Sequence, residues 1–570
     1  MIRSAIGFVL CFLFLDGASD VRADIKMPLI FGDHMVLQQN ATLPVWGWAD
    51  PGEKVTVTFS GQMKSTTAVD DGSWRIDLTP VVKSAQGQAL TISGKTTLTF
   101  QDVLVGDVWV ASGQSNMEFG IHQDRYAADV AKADDPQLRL FFVPKVTALK
   151  PANDFLVDPA SEGAPYSAKW FLCTPENLSK INGQGFATAA YYFARDIRQV
   201  RSEPLGMIEC SWGGTRAETW TSLSGLEKDA ALAHYVDQQK RNVVQYPQLA
   251  PTYPQKKAEF DAAIKIWNTE VGDPLGKAEN DWKIAVQTAQ AAGQPIPPKP
   301  QPSRPRPSDP QVPDGGNNGP ANLFNGMVSP LIPFAIKGVI WYQGEFNSGY
   351  DSGREYATLF SRLITDWREK WAQGDFPFIF VQLPNYGPLP TEPSEEGDGW
   401  RWVREGQLKA LSLPNTGMAS AIDIGDPFLL HPPDKLDVGH RLALAARHVA
   451  YGENIVSSGP LYDSMTIEGN KIRLTFKSTG DGLTLGTSPY IPDGTSPKAP
   501  TTLTGFGIAG DDQKFVWAQA VIEGDSVVVS SDKVSAPVAI RYDFNDSPTG
   551  DLYNKNGLPA SPFRTDDWLH

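Results

Sequence analysis

The 570-residue sequence contains little cysteine, with only three thiols, at positions 11, 173 and 210. Cys11 lies in an N-terminal apolar run, which leaves Cys173 and Cys210 without any spacing pattern that indicates a disulfide framework. These two residues either pair in an oxidising compartment or remain two buried thiols.

Basic residues are also in deficit, since 50 Lys and Arg face 65 Asp and Glu and the net charge is −15. A nucleic-acid groove or a surface for anionic membranes needs clustered positive charge. The composition therefore argues against both classes of partner.

Long apolar runs are missing after the N-terminus, where no stretch approaches the 18 or so residues of a membrane span. The N-terminus itself has Arg3, an apolar run over 6–15 and a small-x-small site at Val21-Arg-Ala23. This pattern predicts a signal peptide over 1–23 and a secreted or periplasmic protein that begins near Asp24. The alternative is a buried N-terminal helix or strand.

Metal and cofactor motifs are missing as well. The seven histidines form neither His-x-x-x-His nor His-Glu-x-x-His, and no Gly-x-Gly-x-x-Gly or Walker loop follows a strand. We expect chemistry that needs no metal and no cofactor.

The sequence does contain the pattern of a layered globular protein, with 41% hydrophobic and 20% charged residues, 51 Gly and 45 Pro. Residues 24–100 alternate apolar with polar side chains, as in Lys54–Phe59 and Ser73–Leu78, which predicts a small antiparallel β domain. Similar alternation over 457–570 predicts a second, C-terminal β domain.

Between them, residues 101–456 predict an α/β domain. Near-continuous apolar runs are typical of strands that are buried on both faces of a parallel sheet; they occupy 103–111, 205–211, 337–342, 376–383 and 417–423. Helical patterns such as 185–197 and 356–367 lie between several of them. Residues 225–320 interrupt the pattern with two helical stretches and with nine prolines in 295–313, which indicates an insertion.

Four Gly-containing turns with polar side chains follow these strands. They are Ser112-Gly-Gln-Ser-Asn-Met-Glu118, Ser211-Trp-Gly-Gly-Thr-Arg216, Gln343-Gly-Glu-Phe-Asn347 and Gly425-Asp-Pro-Phe-Leu-Leu-His-Pro432. Because functional groups gather at the carboxyl ends of strands in open α/β sheets, we expect these turns to meet.

Together the turns contain the parts of an acyl-transfer site. Ser115 is the candidate nucleophile and His431 the candidate base. Backbone N–H groups at Gly213 or Gly214, with an amide from Gln343 or Asn347, are candidates for binding the oxyanion, and Gln114 is a further candidate binding residue.

The same blocks resemble a known family. Gly113-Gln-Ser-Asn-Met117, Trp212-Gly-Gly-Thr215, Trp341-Tyr-Gln-Gly-Glu345 and His431-Pro-x-x-Lys435 are similar to the motifs of the sialate O-acetylesterase-like carbohydrate esterases of the SGNH hydrolase superfamily. The resemblance runs from about Met27 to Asp567. It implies a flavodoxin-like SGNH domain, a parallel sheet with helices on both faces, flanked by antiparallel β domains. It also implies hydrolysis of acetyl esters on sugars, with Ser115 and His431 as the catalytic serine and histidine.

The sequence departs from the family where the orienting acid is expected. The family's usual Asp, three or two residues before the histidine, falls on Phe428 and Leu429. Glu345 is the best substitute, because its Gln-Gly-Glu block resembles that of related acetylxylan esterases. Asp426 and Asp423 are alternatives, and a Ser-His dyad without an acid is another.

We therefore expect a secreted carbohydrate O-acetylesterase that acts on an acetylated carbohydrate. Two rivals remain open. One is an esterase for acetylated plant polysaccharide, such as xylan or xyloglucan, in place of O-acetylated sialic acid. The other is a carbohydrate-binding homologue with impaired catalysis, which the missing Asp favours and the presence of Ser115 and His431 opposes.

Overall fold

The computed structural model describes residues 25–124, 127–157, 166–291, 294–295, 297–387, 390–393, 399–487, 500–548 and 550–568. The predicted signal peptide over 1–23 lies outside these residues. No helix among them is both long and apolar enough to cross a membrane.

The N-terminal strands are β1 (Val36–Gln38), β2 (Leu43–Trp48), β3 (Lys54–Phe59), β4 (Gln62–Thr67), β5 (Ser73–Leu78) and β6 (Ser84–Ser93). The predicted strands over 54–59 and 73–78 are confirmed as β3 and β5. In β3 the alternation places Val55, Val57 and Phe59 in the core and the intervening residues toward solvent. Strands β2 and β5 pair antiparallel, and β3 pairs antiparallel with β4 and β6.

A single 17-residue strand, β7 (Thr97–Gly113), joins this region to the next. Its first part pairs antiparallel with β6, and its second part takes part in a parallel sheet. The change of pattern near Asp102, which predicts a domain boundary, thus lies inside one strand. One hydrophobic core extends from Ile25 to Ala446 across the junction.

The further strands of the central sheet are β8 (Asp135–Phe142), β9 (Trp170–Cys173), β10 (Leu205–Ser211), β11 (Gly338–Tyr342), β12 (Phe378–Gln382) and β13 (Thr416–Ser420). The strand order is β13-β12-β11-β7-β10-β8-β9. All neighbours in this order are parallel except β9, which pairs antiparallel with β8. The five predicted buried strands are confirmed, whereas β8 and β9 were not predicted, and the sheet is mixed.

The described helices are α1 (Ser115–Glu118), α2 (Ala127–Val130), α3 (Pro175–Lys180), α4 (Thr188–Val200), α5 (Leu223–Leu226), α6 (Ala233–Leu249), α7 (Tyr253–Trp267), α8 (Asp273–Ala291), α9 (Tyr350–Trp371), α10 (Trp400–Ala410) and α11 (Lys435–Tyr451). Helices α4 and α11 pack against each other, as do α9 and α10. Both α10 and α11 contact β12 and β13 of the central sheet.

The segment over 225–320 contains α6, α7 and α8. The two predicted helical stretches correspond to α7 and α8, whereas α6 was not predicted. The proline-rich chain runs back along these helices without regular structure. Trp282 donates its indole N–H to the carbonyl of Pro297 at 2.7 Å, and Arg304 pairs with Glu270 at 2.6 Å. These contacts hold the proline-rich segment against the helices of the insertion.

The C-terminal region forms antiparallel sheets around its own hydrophobic core, as predicted. Its strands are β14 (Leu461–Glu468), β15 (Lys471–Lys477), β16 (Leu483–Leu485), β17 (Phe506–Ala509), β18 (Val516–Trp517), β19 (Gln519–Glu523), β20 (Ser526–Ser530), β21 (Ala539–Tyr542), β22 (Leu552–Asn554) and β23 (Phe563–Arg564).

Cys173 and Cys210, in the central sheet, are both free and buried. Of the two possibilities that the sequence leaves open, the structure shows two buried thiols.

Candidate active site

The loops that follow β7, β10, β11 and β13 lie at the carboxyl edge of the parallel sheet. At the end of β7, Gly113 has a φ of 135°. A Cβ at this position would lie 2.1 Å from the carbonyl oxygen of Tyr342, so only glycine fits. The chain then turns sharply, and Ser115 begins the one-turn helix α1.

The structure brings Ser115 and His431 together, although 316 positions separate them in the sequence. The Nε2 atom of His431 lies 2.8 Å from the Oγ atom of Ser115. This is the distance at which an imidazole can accept the hydroxyl proton of a serine. His431 is exposed and lies in the loop between β13 and α11.

The pKa of His431 is lowered from its ordinary value. The main cause is partial desolvation of the ring, and the second is the positive charge of Lys435, while the charge of Glu118 acts in the opposite direction. A lowered pKa favours the neutral imidazole, which is the form that acts as a base.

Asn116, the residue after the candidate nucleophile, is buried and connects three loops. Its Nδ2 group donates to Glu345 Oε1 at 2.6 Å and to the carbonyl of Leu430 at 3.0 Å. Its Oδ1 atom accepts from the Lys435 ammonium at 2.6 Å, and Lys435 also donates to the carbonyl of Pro432 at 2.8 Å. The carbonyls on both sides of His431 are therefore held by the same hydrogen-bond network.

Glu345 does not reach His431 in this structure, which differs from the expectation that it orients the imidazole. One of its oxygens is bound to Asn116, and the other is buried without a partner among the described residues. Burial raises the pKa of Glu345, opposed by the hydrogen bond from Asn116 and by the charge of Lys435. Within the described part of the chain, no carboxylate forms an ion pair or hydrogen bond with the His431 ring.

The alternative acids have other contacts. Asp423 pairs with Arg441 and accepts a hydrogen bond from the Tyr553 hydroxyl at 2.7 Å. Asp426 accepts from the backbone N–H of Phe428 at 2.7 Å, so it stabilises its own turn. Neither contact orients the imidazole.

The two candidate oxyanion glycines differ in their surroundings. Gly213 packs beside Ser115, and its N–H donates to the Glu118 carboxylate, which also pairs with Lys145. Gly214 has a φ of 67°, and no atom of the described residues lies within 4 Å of the position that a Cβ would occupy. Of the two candidate oxyanion glycines, Gly214 is therefore the one that has open space beside its Cα.

The candidate amides are buried and engaged within the loops. Gln343 Nε2 donates to Asn347 Oδ1 at 2.7 Å, and Asn347 Nδ2 donates to Glu218 at 3.0 Å. Gln114 Oε1 accepts from the backbone N–H of Phe346 at 3.2 Å. These amides fix the loops in the structure, and the role of Gln343 or Asn347 as an oxyanion donor stays a prediction.

Sequence reasoning gave no role to Asn116, Glu118 and Lys435, although all three lie in the quoted motifs. What marks these three residues is a polar side chain at a position that is buried or half-buried between loops. Lys435 is fully buried, with its ammonium 4.6 Å from the ring centre of Phe119, and burial lowers its pKa to about 7.

Among the described residues, no group of three or more His, Cys, Asp or Glu side chains is arranged to hold a metal ion.

The chain is similar to known carbohydrate esterases. Residues 321–448 match the family model described as "Carbohydrate esterase, sialic acid-specific acetylesterase". Sialate O-acetylesterase of Mus musculus is 30% identical over 463 residues, which cover 75% of this chain and 74% of the mouse protein. The Rattus norvegicus protein of the same name is 31% identical over the same shares of the two chains.

A solved structure extends this similarity to nearly the whole molecule. The crystal structure of a carbohydrate acetylesterase from Xanthomonas citri superposes with a TM-score of 0.71 at 32% identity. The match covers 96% of this chain and 100% of the Xanthomonas chain.

Proposed function

Because this chain belongs to the sialate O-acetylesterase family and is an acetylesterase hydrolase, we propose that it removes acetyl groups from sugar hydroxyls through an acetyl-Ser115 intermediate. One observation carries the mechanism: the hydrogen bond of 2.8 Å between His431 Nε2 and Ser115 Oγ. A nucleophile that is bonded to a neutral imidazole is the arrangement that acyl transfer requires.

In the first half of the reaction, His431 Nε2 takes the proton of Ser115 as Oγ attacks the acetyl carbonyl carbon. The backbone N–H groups of Ser115 and Gly214 stabilise the oxyanion of the tetrahedral intermediate. The intermediate collapses with cleavage of the bond between the acetyl carbon and the sugar oxygen, and His431 gives its proton to that oxygen. In the second half, His431 deprotonates a water, which attacks the acetyl group and releases acetate and free Ser115.

The hydrogen bonds of Asn116 and Lys435 to the carbonyls of Leu430 and Pro432 fix the backbone on both sides of His431. In this mechanism that network takes the place of an acid paired with the imidazole. Glu345 supports it through Asn116. These three are positioning residues, since they act through His431 or through each other.

The core strand order supports the finer description of the fold. When the two edge strands β8 and β9 are left out, the order β10-β7-β11-β12-β13 corresponds to 2-1-3-4-5 in chain order, which is that of flavodoxin-like sheets. We assign 101–456 to an SGNH hydrolase domain with the insertion at 225–320. The regions 24–100 and 457–570 are then the flanking β domains, and the N-terminal pattern over 1–23 supports export of the protein.

The test is hydrolysis of p-nitrophenyl acetate and release of acetate from acetylated sugars by the purified protein. Ser115→Ala should lower kcat by about 10⁴-fold or more, as loss of a nucleophile does in serine hydrolases. The matched control is Ser202→Ala, an exposed serine that precedes β10 at the opposite end of the sheet. It should leave kcat unchanged.

A fluorophosphonate label read by peptide mass spectrometry identifies the nucleophile independently. We expect a single adduct on the peptide that contains Ser115 and none in the Ser115→Ala variant. Full activity of Ser115→Ala, or labelling elsewhere in that variant, would contradict the assignment.

A further inference from the structure

A cavity of about 680 Å³ lies between the loops that follow β10 and β11 and the helical insertion. One side of it is formed by the loops of the α/β domain, with Arg216 and Phe346. The opposite side comes from the first turns of α6 in the insertion, with His234, Tyr235 and Gln238. The insertion therefore contributes a wall of the cavity.

Short connections along the chain join this cavity to the catalytic pair. Arg216 lies two residues after Gly214. Asn318, which also lines the cavity, binds the backbone of both residues. Its side-chain oxygen accepts from the N–H of Arg216 at 3.1 Å, and its Nδ2 group donates to the carbonyl of Gly214 at 2.9 Å. Phe346 directly follows Glu345. Its backbone N–H donates to the side chain of Gln114, the residue before Ser115, at 3.2 Å. The cavity therefore borders the loop that carries the candidate nucleophile.

The lining has the chemistry of a carbohydrate site. Phe346 is 45% exposed, which is high for a large apolar side chain. Around it stand side chains that can donate or accept hydrogen bonds, among them Gln238 and Ser352. An aromatic face with several polar groups suits a sugar ring, which has apolar C–H faces and a rim of hydroxyls.

The charges of the lining disfavour an anionic sugar. The two basic side chains are each near a glutamate: Arg216 lies 4.0 Å from Glu218, and His234 lies 3.5 Å from Glu355. A third carboxylate, Asp351, also lines the cavity. A sugar carboxylate bound at either basic side chain would therefore also lie near a glutamate, and it would face a third carboxylate in the lining.

Helix α6 is held firmly in this position. Gln239 is buried and donates to Asn322 Oδ1 at 2.9 Å, and Tyr235 is 5% exposed. The wall is therefore preformed, which lowers the entropy cost of binding a sugar against it.

We propose that this cavity binds the sugar unit that carries the acetyl ester, that α6 and Phe346 determine its specificity, and that the preferred sugar is uncharged. This inference rests on the proposed function and names its substrate class. It favours acetylated neutral polysaccharide over O-acetylated sialic acid.

The first experiment measures the ratio of kcat/KM for acetylated xylo-oligosaccharide to kcat/KM for p-nitrophenyl acetate. In the double variant Gln238→Ala/Phe346→Ala this ratio should fall about tenfold or more, because lost sugar contacts affect the carbohydrate most. The matched control is Lys240→Ala on the same helix, an exposed residue that does not line the cavity. It should leave the ratio unchanged, and an unchanged ratio in the double variant would overturn the assignment of the wall.

The second experiment tests the charge with a matched pair of substrates, O-acetylated N-acetylneuraminic acid and its uncharged carboxamide. We expect faster release of acetate from the carboxamide. Faster release from the acid would overturn the neutral-sugar inference while leaving the esterase function intact. Failure of the wild-type protein to hydrolyse any of these esters would instead count against the proposed function.

Discussion

The ammonium group of Lys435 donates a hydrogen bond of 2.6 Å to the side-chain oxygen of Asn116, and both residues are buried. Through this bond the residue after the nucleophile is linked to the start of helix α11. The same two side chains hold the carbonyls of Leu430 and Pro432, which flank His431. The geometry of the Ser115–His431 pair is therefore set largely by backbone anchoring.

The lowered pKa of His431 predicts the pH dependence of the enzyme. Since the neutral imidazole is the base, activity is lost as the pH falls through the His431 pKa. That pKa lies below its ordinary value of 6.5, so the acid limb of kcat/KM should have its midpoint below pH 6.5. A profile of kcat/KM against pH with p-nitrophenyl acetate checks this, and a midpoint above 6.5 would contradict it.

Replacement of Lys435 by methionine should have two effects. The loss of the hydrogen bonds to Asn116 and Pro432 should lower kcat, by about 10-fold to 100-fold if 1.5–3 kcal/mol of positioning is lost. The loss of the positive charge should raise the His431 pKa, because Lys435 now lowers it.

The acid limb of the Lys435→Met variant should therefore move to higher pH. A merely structural role would lower activity without moving this limb. Lys409→Met, at an exposed position on α10, serves as the control.

The substitution Glu345→Gln distinguishes a positioning residue from a triad acid. An amide oxygen can still accept the hydrogen bond from Asn116, so we expect kcat to stay within about tenfold of wild type. If Glu345 oriented the imidazole directly, the loss would be about 10⁴-fold, as when the acid of a serine-protease triad is amidated. Steady-state kinetics at the pH optimum separates these outcomes.

The substitution Gly113→Ala should destabilise the fold. It forces an alanine into a φ of 135° and places its Cβ 2.1 Å from the carbonyl oxygen of Tyr342. We expect a loss of about 3 kcal/mol or more in the free energy of unfolding, by overpacking and backbone strain together. Gly52→Ala is the matched control, since its φ is 78° but no described atom lies within 4 Å of the added Cβ; it should cost about 1 kcal/mol. Denaturant unfolding of both variants gives the comparison.

The meeting of the candidate nucleophile and the candidate base was predictable from the sequence because strand and turn signals marked their loops. Ser115 and His431 follow buried apolar runs and stand beside glycines and prolines, so their places at the sheet edge followed from the general topology of α/β folds. The role of Asn116 was not predictable. It depends on three loops meeting around one side chain, and no local pattern records such contacts.

The domain boundary shows a different limit of sequence reasoning. The pattern changes near Asp102 because β7 passes from a sheet that is partly exposed to one that is covered on both faces. The spacing of apolar residues in the sequence changes because the burial of the strand changes, whereas the backbone continues as one strand. The strands β8 and β9 were missed because β9 has only four residues and only the second half of β8 is buried.

The continuity of β7 limits how the protein can be truncated. A fragment that starts at residue 101 would cut this strand and remove the parallel partner β1, whose residues pair with Leu104 to Gly106. It would also expose apolar side chains of a core that begins at Ile25. An expression fragment meant to isolate the α/β portion therefore has to keep the N-terminal strands, which pair with the strand that leads to the candidate nucleophile.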